Sequence, residues 1–336
     1  MKKIAIIGAG ISGLFIANLF KNNTDYQITI YEKNTTISLD EGYGVQLSVN
    51  SIKLLNEIGF EKFQNYEKFT PEKINFYSID NSTKICELNI SEFNSDNCNY
   101  TTLKRSTLIN FLKKDLEDFI KTDYDISKIG QIDKQIRLSF ENGKIDECDY
   151  LIISDGVFSK SKSLLSNNKI KPKYNETLAI RGILTKSPEN IDNKNITLFL
   201  GSDFHYVFYP VNPRGELNFI AIMKHELSLE EQKNYRLFID DSFIKKVLKK
   251  IPLKSKDFLY DLKELKIFPV FVSENFHKLQ NNNIHLIGDA FFAFPPSFAQ
   301  GASQSIEGAY ELFQSIKNNT EVYFFKNRVN KVKMVN

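Results

Sequence analysis

Cysteine is scarce. The 336-residue chain holds three, Cys86, Cys98 and Cys148, an odd count without C-x-x-C spacing, which argues against a disulfide framework and a zinc site. The four histidines are scattered, so no metal is expected. Charge of one sign is lacking too. A net charge of +3, with Lys and Arg spread along the chain, speaks against a nucleic-acid partner. Lys245, Lys246, Lys249 and Lys250 read as the solvated face of a helix. No run approaches the roughly 20 apolar residues of a membrane span, and no repeat or low-complexity linker occurs. The opening MKKIAIIGAGISGLFIANLF puts two lysines before an apolar run, as a secretory signal does. Glycines punctuate that run at fixed spacing and a strand pattern resumes after it. We therefore read it as folded structure and expect a cytoplasmic protein without membrane association.

What is present is ordinary globular material, 42% hydrophobic and 25% charged. The length points to one large composite domain or two domains sharing a sheet. Residues 3–7 (KIAII) suit a buried parallel strand. Gly8, Gly10 and Gly13 follow in GAGISG, a helical pattern continues to Phe20, and residues 27–31 (QITIY) form a second strand ending at Glu32 and Lys33. Gly8 permits the turn, Gly10 lets the backbone approach a pyrophosphate, and Gly13 lets the helix pack on the strand. Ser12 lies in the same loop, and the helix N-terminus presents N–H groups to phosphate. Glu32 is placed to accept from a ribose. This unit predicts an ADP-containing dinucleotide and does not separate FAD from NAD.

The second motif is C-terminal. Residues 284–287 (IHLI) read as a strand running into Gly288 and Asp289. Pro295, Pro296, Gly301 and Ala302 follow, with an apolar stripe at Ala302, Ile306, Ala309, Tyr310 and Phe313. Asp289 at a strand end suits ribityl hydroxyls. The prolines stiffen the loop. The N–H groups of Gly301 and Ala302, where the helix starts, suit the N1–C2=O edge of a flavin, negative when reduced.

The segment IHLIGDAFFAFPPSFAQGASQSIEGA resembles the G-D motif of the class A flavoprotein monooxygenases, the p-hydroxybenzoate hydroxylase and salicylate hydroxylase family. Residues 42–50 (GYGVQLSVN), with Val45 and Gln46, resemble that family's cofactor-lining segment, and Arg105 matches its pyrophosphate arginine. Residues 150–162 (YLIISDGVFSKSK) resemble its D-G motif, where Asp155 would support the pyrophosphate site and nicotinamide binding. The sequence departs from the family at Phe291 and Phe292, at Phe298 where glycine is usual, and at Lys162 where arginine is usual.

The resemblance implies an α/β (α+β composite) fold: a Rossmann-like FAD-binding domain of three-layer ββα architecture, plus a mostly antiparallel substrate-binding sheet. It implies a discontinuous FAD domain, residues 1–70, 101–179 and 270–336, and a substrate domain, 71–100 and 180–269. It implies FAD, with NADH or NADPH as transient reductant, O₂, and a C4a-hydroperoxyflavin hydroxylating a small aromatic or cyclic apolar substrate in a monomer or homodimer. Arg181, His205, Tyr209, Phe292 and Phe294 are substrate-pocket candidates; no catalytic residue stands out. Phe291, Phe292, Phe294 and Phe298 either wall that pocket or pack in the core. A flavin oxidase or reductase, or a non-catalytic FAD binder with an altered G-D motif and short tail, are the alternatives. Two local expectations complete the reading: a helix over 106–120 through Leu108, Leu112, Leu116 and Phe119, and a hairpin at Asn142-Gly143 joining 135–140 to 145–153.

Overall fold

The structure is a computed structural model that describes residues 1–37, 39, 43–63, 67–167, 169–188, 191–251 and 257–335. Its first layer is a five-stranded sheet in the order Ile284–Leu286, Tyr150–Ile153, Lys2–Ile7, Tyr26–Tyr31, Ile120–Lys121, with every pair parallel. Both faces are covered, so these strands carry near-continuous apolar runs. Ile4, Ile6, Ile28, Ile30 and Ile152 face a helical layer formed mainly by Ile11–Phe20, Arg105–Lys113 and Gly301–Lys317. Ala5, Ile7, Leu151 and Ile153 face a core shared with a three-stranded antiparallel sheet and the last helix, Phe324–Val335. Alternation along each strand thus feeds two cores at once. The opening apolar run is the central strand and first helix of this layer.

The second large sheet has seven strands, ordered Lys263–Val272, Lys173–Leu184, Leu217–Lys224, Phe204–Pro210, Ile196–Leu200, Lys73–Ser78, Lys84–Asn89. Only the Ile196–Leu200 and Lys73–Ser78 pair is parallel. One face buries Ile180, Phe208, Phe219 and Met223 against the helix Asp241–Lys250. That helix is capped by Asp240, whose Oδ1 accepts from the Phe243 amide at 2.9 Å, and its four lysines are exposed while Phe243 and Val247 are buried. The other face of the sheet fronts a cleft. A small sheet of Gly44–Leu47, Thr101–Lys104 and Lys68–Phe69 links the two halves: Thr102 Oγ1 donates to Pro210 O at 2.5 Å, and Lys104 pairs with Glu216 at 2.9 Å.

Two local expectations need correction. The helix from 105 ends at Lys113, not near 120, because Lys114 turns extended and Asp115 adopts a φ of +61°. Leu116 is nonetheless fully buried, so the helical spacing reported core contacts rather than conformation. The Asn142-Gly143 hairpin forms, with Gly143 at φ +77°, but its second run splits. Ile145–Cys148 pairs with Gln135–Phe140, while Tyr150–Ile153 joins the parallel sheet. The break is at Asp149, whose amide donates to Lys3 O and whose Oδ2 accepts from the Lys3 amide.

Candidate functional site

The glycine loop sits at the carboxyl end of the central strand. Gly8 has φ +101°, and a Cβ there would lie 2.6 Å from Ser154 O; one on Gly13 would lie 2.1 Å from Gly8 O. Both positions are closed by backbone. Gly10 differs, for its Cβ would meet nothing within 4 Å. It opens on a groove of about 500 Å³ that Gly8, Glu32, Lys33, Arg105 and Asp155 also line. No side chain caps the helix that starts at Ile11, leaving its first N–H groups available. Glu32 Oε2 accepts from the Ala9 amide and Oε1 from the Asn34 amide, both at 3.0 Å, so this carboxylate also braces the loop. Asp155 Oδ2 accepts from the Ser161 amide at 3.0 Å, while its Oδ1 is buried without a hydrogen-bond partner. An anion-favouring helix end, space above Gly10 and an unused carboxylate oxygen fit the ADP half of a dinucleotide.

Ser12 and Gly288 do not line this groove. Ser12 is buried, and a Cβ on Gly288 (φ +58°) would stand 2.5 Å from Ser12 Oγ. Their contact joins the first motif to the second.

A second cleft, about 730 Å³, lies between the sheets. Val45, Gln46, Asp289, Pro296, Gly301 and Ala302 line one wall. The helix Gly301–Lys317 begins here with no side-chain cap, so its dipole and free N–H groups face the cleft. Asp289 is exposed to solvent yet ringed by protein. Burial raises its pKa to about 6, and Arg105 and Lys162 oppose that rise. Lys162 is itself buried and donates to Ala290 O at 3.0 Å; burial lowers its pKa against the pull of Asp155 and Asp289. It thereby ties the D-G loop to the G-D loop.

The opposite wall is the free face of the seven-stranded sheet, and Arg181, His205 and Tyr209 lie on it. Burial pushes the His205 pKa down, favouring the neutral ring; it pushes the Tyr209 phenol up. Gly44 is forced by close approach: its Cβ would sit 2.5 Å from Tyr209 Cε2, and its amide donates to Asn218 Oδ1 at 2.6 Å. Gly42 lies outside the described residues.

Phe292 is a correction. It packs in the core, 4.7 Å from the Phe276 ring centroid, and Phe291 meets Phe324 and Phe325. The short helix Gly288–Phe291 turns both rings toward the space between the parallel sheet and the last helix, which they fill. Phe294 does line the cleft; the Phe298 side chain lies outside what the structure describes. Sequence reasoning missed Tyr100, which donates to Gln46 Oε1 at 2.7 Å, and the aliphatic residues of Ile196–Leu200 and Lys73–Ser78. Lys73–Ser78 alternates Ile74 and Phe76 against Lys73 and Asn75, but an apolar strand face reads as core, so nothing marked it as the wall of a cleft. Among the described residues no cluster suits a metal ion.

Residues 1–320 match the FAD binding domain family. The chloroplastic zeaxanthin epoxidase of Oryza sativa subsp. japonica is 24% identical over 331 residues, covering 92% of this chain and 48% of that protein. The 6-hydroxynicotinate 3-monooxygenase of Bordetella bronchiseptica is 22% identical over 327 residues, covering 91% and 80%. The chain spans about half the length of the zeaxanthin epoxidases it matches. Among solved structures, Klebsiella pneumoniae HpxO complexed with FAD and uric acid aligns with a TM-score of 0.84 at 16% identity, covering 99% of this chain and 86% of that one. The 2,6-dihydroxypyridine-3-hydroxylase of Arthrobacter nicotinovorans aligns at 0.83 and 17%, covering 99% and 91%. At such identities the structural likeness establishes the shared fold, a Rossmann-like parallel sheet with an antiparallel partner.

Proposed function

Because this chain belongs to the FAD binding domain family, we propose that it is an FAD-dependent, NAD(P)H-using monooxygenase acting on an aromatic or cyclic apolar small molecule. Bound FAD supplies the redox chemistry: NAD(P)H and O₂ are consumed, one oxygen atom enters the substrate and the other leaves as water.

The protein's part is binding, orientation and exclusion of water. The glycine loop and Glu32 would hold the ADP half, with Arg105 and Asp155, which line the same groove, beside the pyrophosphate. Asp289 would accept from ribityl hydroxyls, and the helix N-terminus at Gly301 would favour negative charge on the flavin. The apolar sheet face dries the space opposite, as oxygen transfer requires. Arg181, His205 and Tyr209 offer the polar contacts that orient a substrate.

The observation that carries this reading is the 730 Å³ cleft with a helix N-terminus on one wall and an apolar sheet on the other. Of the altered G-D motif, Phe291 and Phe292 leave it open, since both pack in the core. That favours a working enzyme over a non-catalytic binder.

The test is an absorbance spectrum of the purified protein, before and after anaerobic NADH or NADPH. We expect a flavin band that bleaches with one of them and returns with O₂. A bound flavin that neither nucleotide reduces would overturn the reductant assignment, and no flavin after reconstitution would overturn the cofactor site.

A further inference from the structure

The cleft face of the seven-stranded sheet carries one continuous row of side chains, visible in the strand register. Arg181 stands opposite Ile220, Ile220 opposite Val207, Val207 opposite Leu198, and Leu198 opposite Phe76. Opposed residues share a face, so these five form a straight lane across five strands, and all five line the cleft. Strands lie roughly 4.8 Å apart, so the lane is about 19 Å long, well beyond a single aromatic ring.

Its two ends differ in chemistry. On the far side of Arg181, Lys266 is the next opposed residue, and both cations stand over the buried Tyr43 ring, at 5.5 and 6.0 Å from its centroid. Among the described residues no carboxylate pairs with Arg181 or Lys266, so Arg181, which lines the cleft, and Lys266 beside it form a half-buried cationic corner at the cleft's end. Beyond Phe76 the row continues to Cys86 on the edge strand, which is exposed. Leu88, opposite Ile74, is 45% exposed beside it. The apolar lane therefore runs out to solvent at the sheet edge instead of closing.

Building on the reading of this cleft as a substrate site, we propose that the substrate is an elongated amphiphile: an anionic head, such as a carboxylate, paired with Arg181 and Lys266, and an apolar body laid along Ile220, Val207, Leu198 and Phe76. Two neighbouring cations attract one anion, while an apolar wall with no polar group along that row rewards added hydrocarbon. The open end at Cys86 tolerates a tail of variable length.

The experiment is calorimetric titration of the oxidised FAD-loaded protein with 4-alkylbenzoates from methyl to decyl, without reductant. Affinity should rise about fourfold per methylene until the tail reaches the sheet edge and then level off. Arg181→Gln should weaken every member by a similar factor, about tenfold or more. Phe76→Asp should spare the methyl compound and abolish the gain for long tails. Should Phe76→Asp not fold, Leu88→Asp, at an exposed position, should weaken only the longest members. The proposal is overturned by affinity that ignores or falls with tail length, by uncharged alkylbenzamides binding as tightly as the acids, or by Phe76→Asp weakening short and long members equally. Because no reductant is present, the series stands even if NAD(P)H is never oxidised. Conversely, a protein that oxidises NAD(P)H but binds all tails alike loses the lane and keeps the monooxygenase assignment.

Discussion

A Cβ at Gly10 would meet no protein atom, whereas one at Gly8 or Gly13 would strike backbone. Gly10→Val should therefore fold normally yet place its branched side chain where the pyrophosphate belongs. We expect an unchanged melting curve and a loss of FAD affinity of roughly 100-fold or more, as about 3 kcal/mol of steric conflict implies. Stoichiometric yellow protein would refute it. Asp289 works in the opposite sense. Its folded pKa is pushed up to about 6, above the ordinary range of an aspartate, so the folded state holds the proton more tightly. Stability then falls as pH rises from about 4 to about 6 and stays reduced above that. Asp289→Asn should remove this slope and stabilise the FAD-free protein at pH 8 by roughly 1 kcal/mol, discounted from the full shift because the carboxylate is solvent-accessible. It should also weaken FAD retention. Urea denaturation at pH 5 and pH 8 checks the first claim, since equal midpoint differences from wild type would refute it. A flavin titration checks the second.

Elements act through their docking, and the last helix shows how. Arg328, 3% exposed on Phe324–Val335, donates through Nη2 to Gln304 O and Gln304 Oε1, both at 2.7 Å, and pairs with Glu311 at 3.4 Å. Gly308 makes room for it: a Cβ there would lie 3.0 Å from Arg328 Nε. The guanidinium so fastens the terminal helix to the first turn of Gly301–Lys317. Arg328→Ala should cost about 3 kcal/mol, since it strands buried acceptors on the facing helix. Gly308→Ala should cost less, because helix propensity offsets part of the crowding. A urea midpoint for Arg328→Ala within error of wild type would dismiss the clamp. None of this was legible in the sequence, where Arg328 is one basic residue in a charged tail. Periodic glycines, strand runs and the Asp289 turn were legible because local geometry demands those residue types. By contrast, the fates of Phe291, Phe292 and Leu116 depended on what packs against them.

At the scale of the whole molecule, the reading of a parallel sheet with an antiparallel partner came from the resemblance to the class A monooxygenases, while the division between them was less legible. Boundaries drawn at 179/180 and 269/270 fall inside the strands Lys173–Leu184 and Lys263–Val272, which belong to the seven-stranded sheet throughout. We propose that the substrate unit comprises 73–89 and 173–272, with the remainder forming the cofactor unit. The two are not independent bodies. Gly44 is pressed against Tyr209 and bonded to Asn218, Thr102 bonds Pro210, and Lys104 pairs with Glu216. FAD would further bridge Gly10, Asp155 and Asp289, which the chain brings together from distant positions. We therefore expect one cooperative urea transition, coincident by circular dichroism and tyrosine fluorescence. Saturation with FAD at about 100 times its Kd adds roughly 2.7 kcal/mol. For a chain this long that moves Tm by about 4 °C. Two separated transitions, with FAD shifting only one, would mean that the small sheet carrying Gly44 and Thr102 does not couple the units, and that the sheet wall of the cleft can open while the dinucleotide groove stays folded.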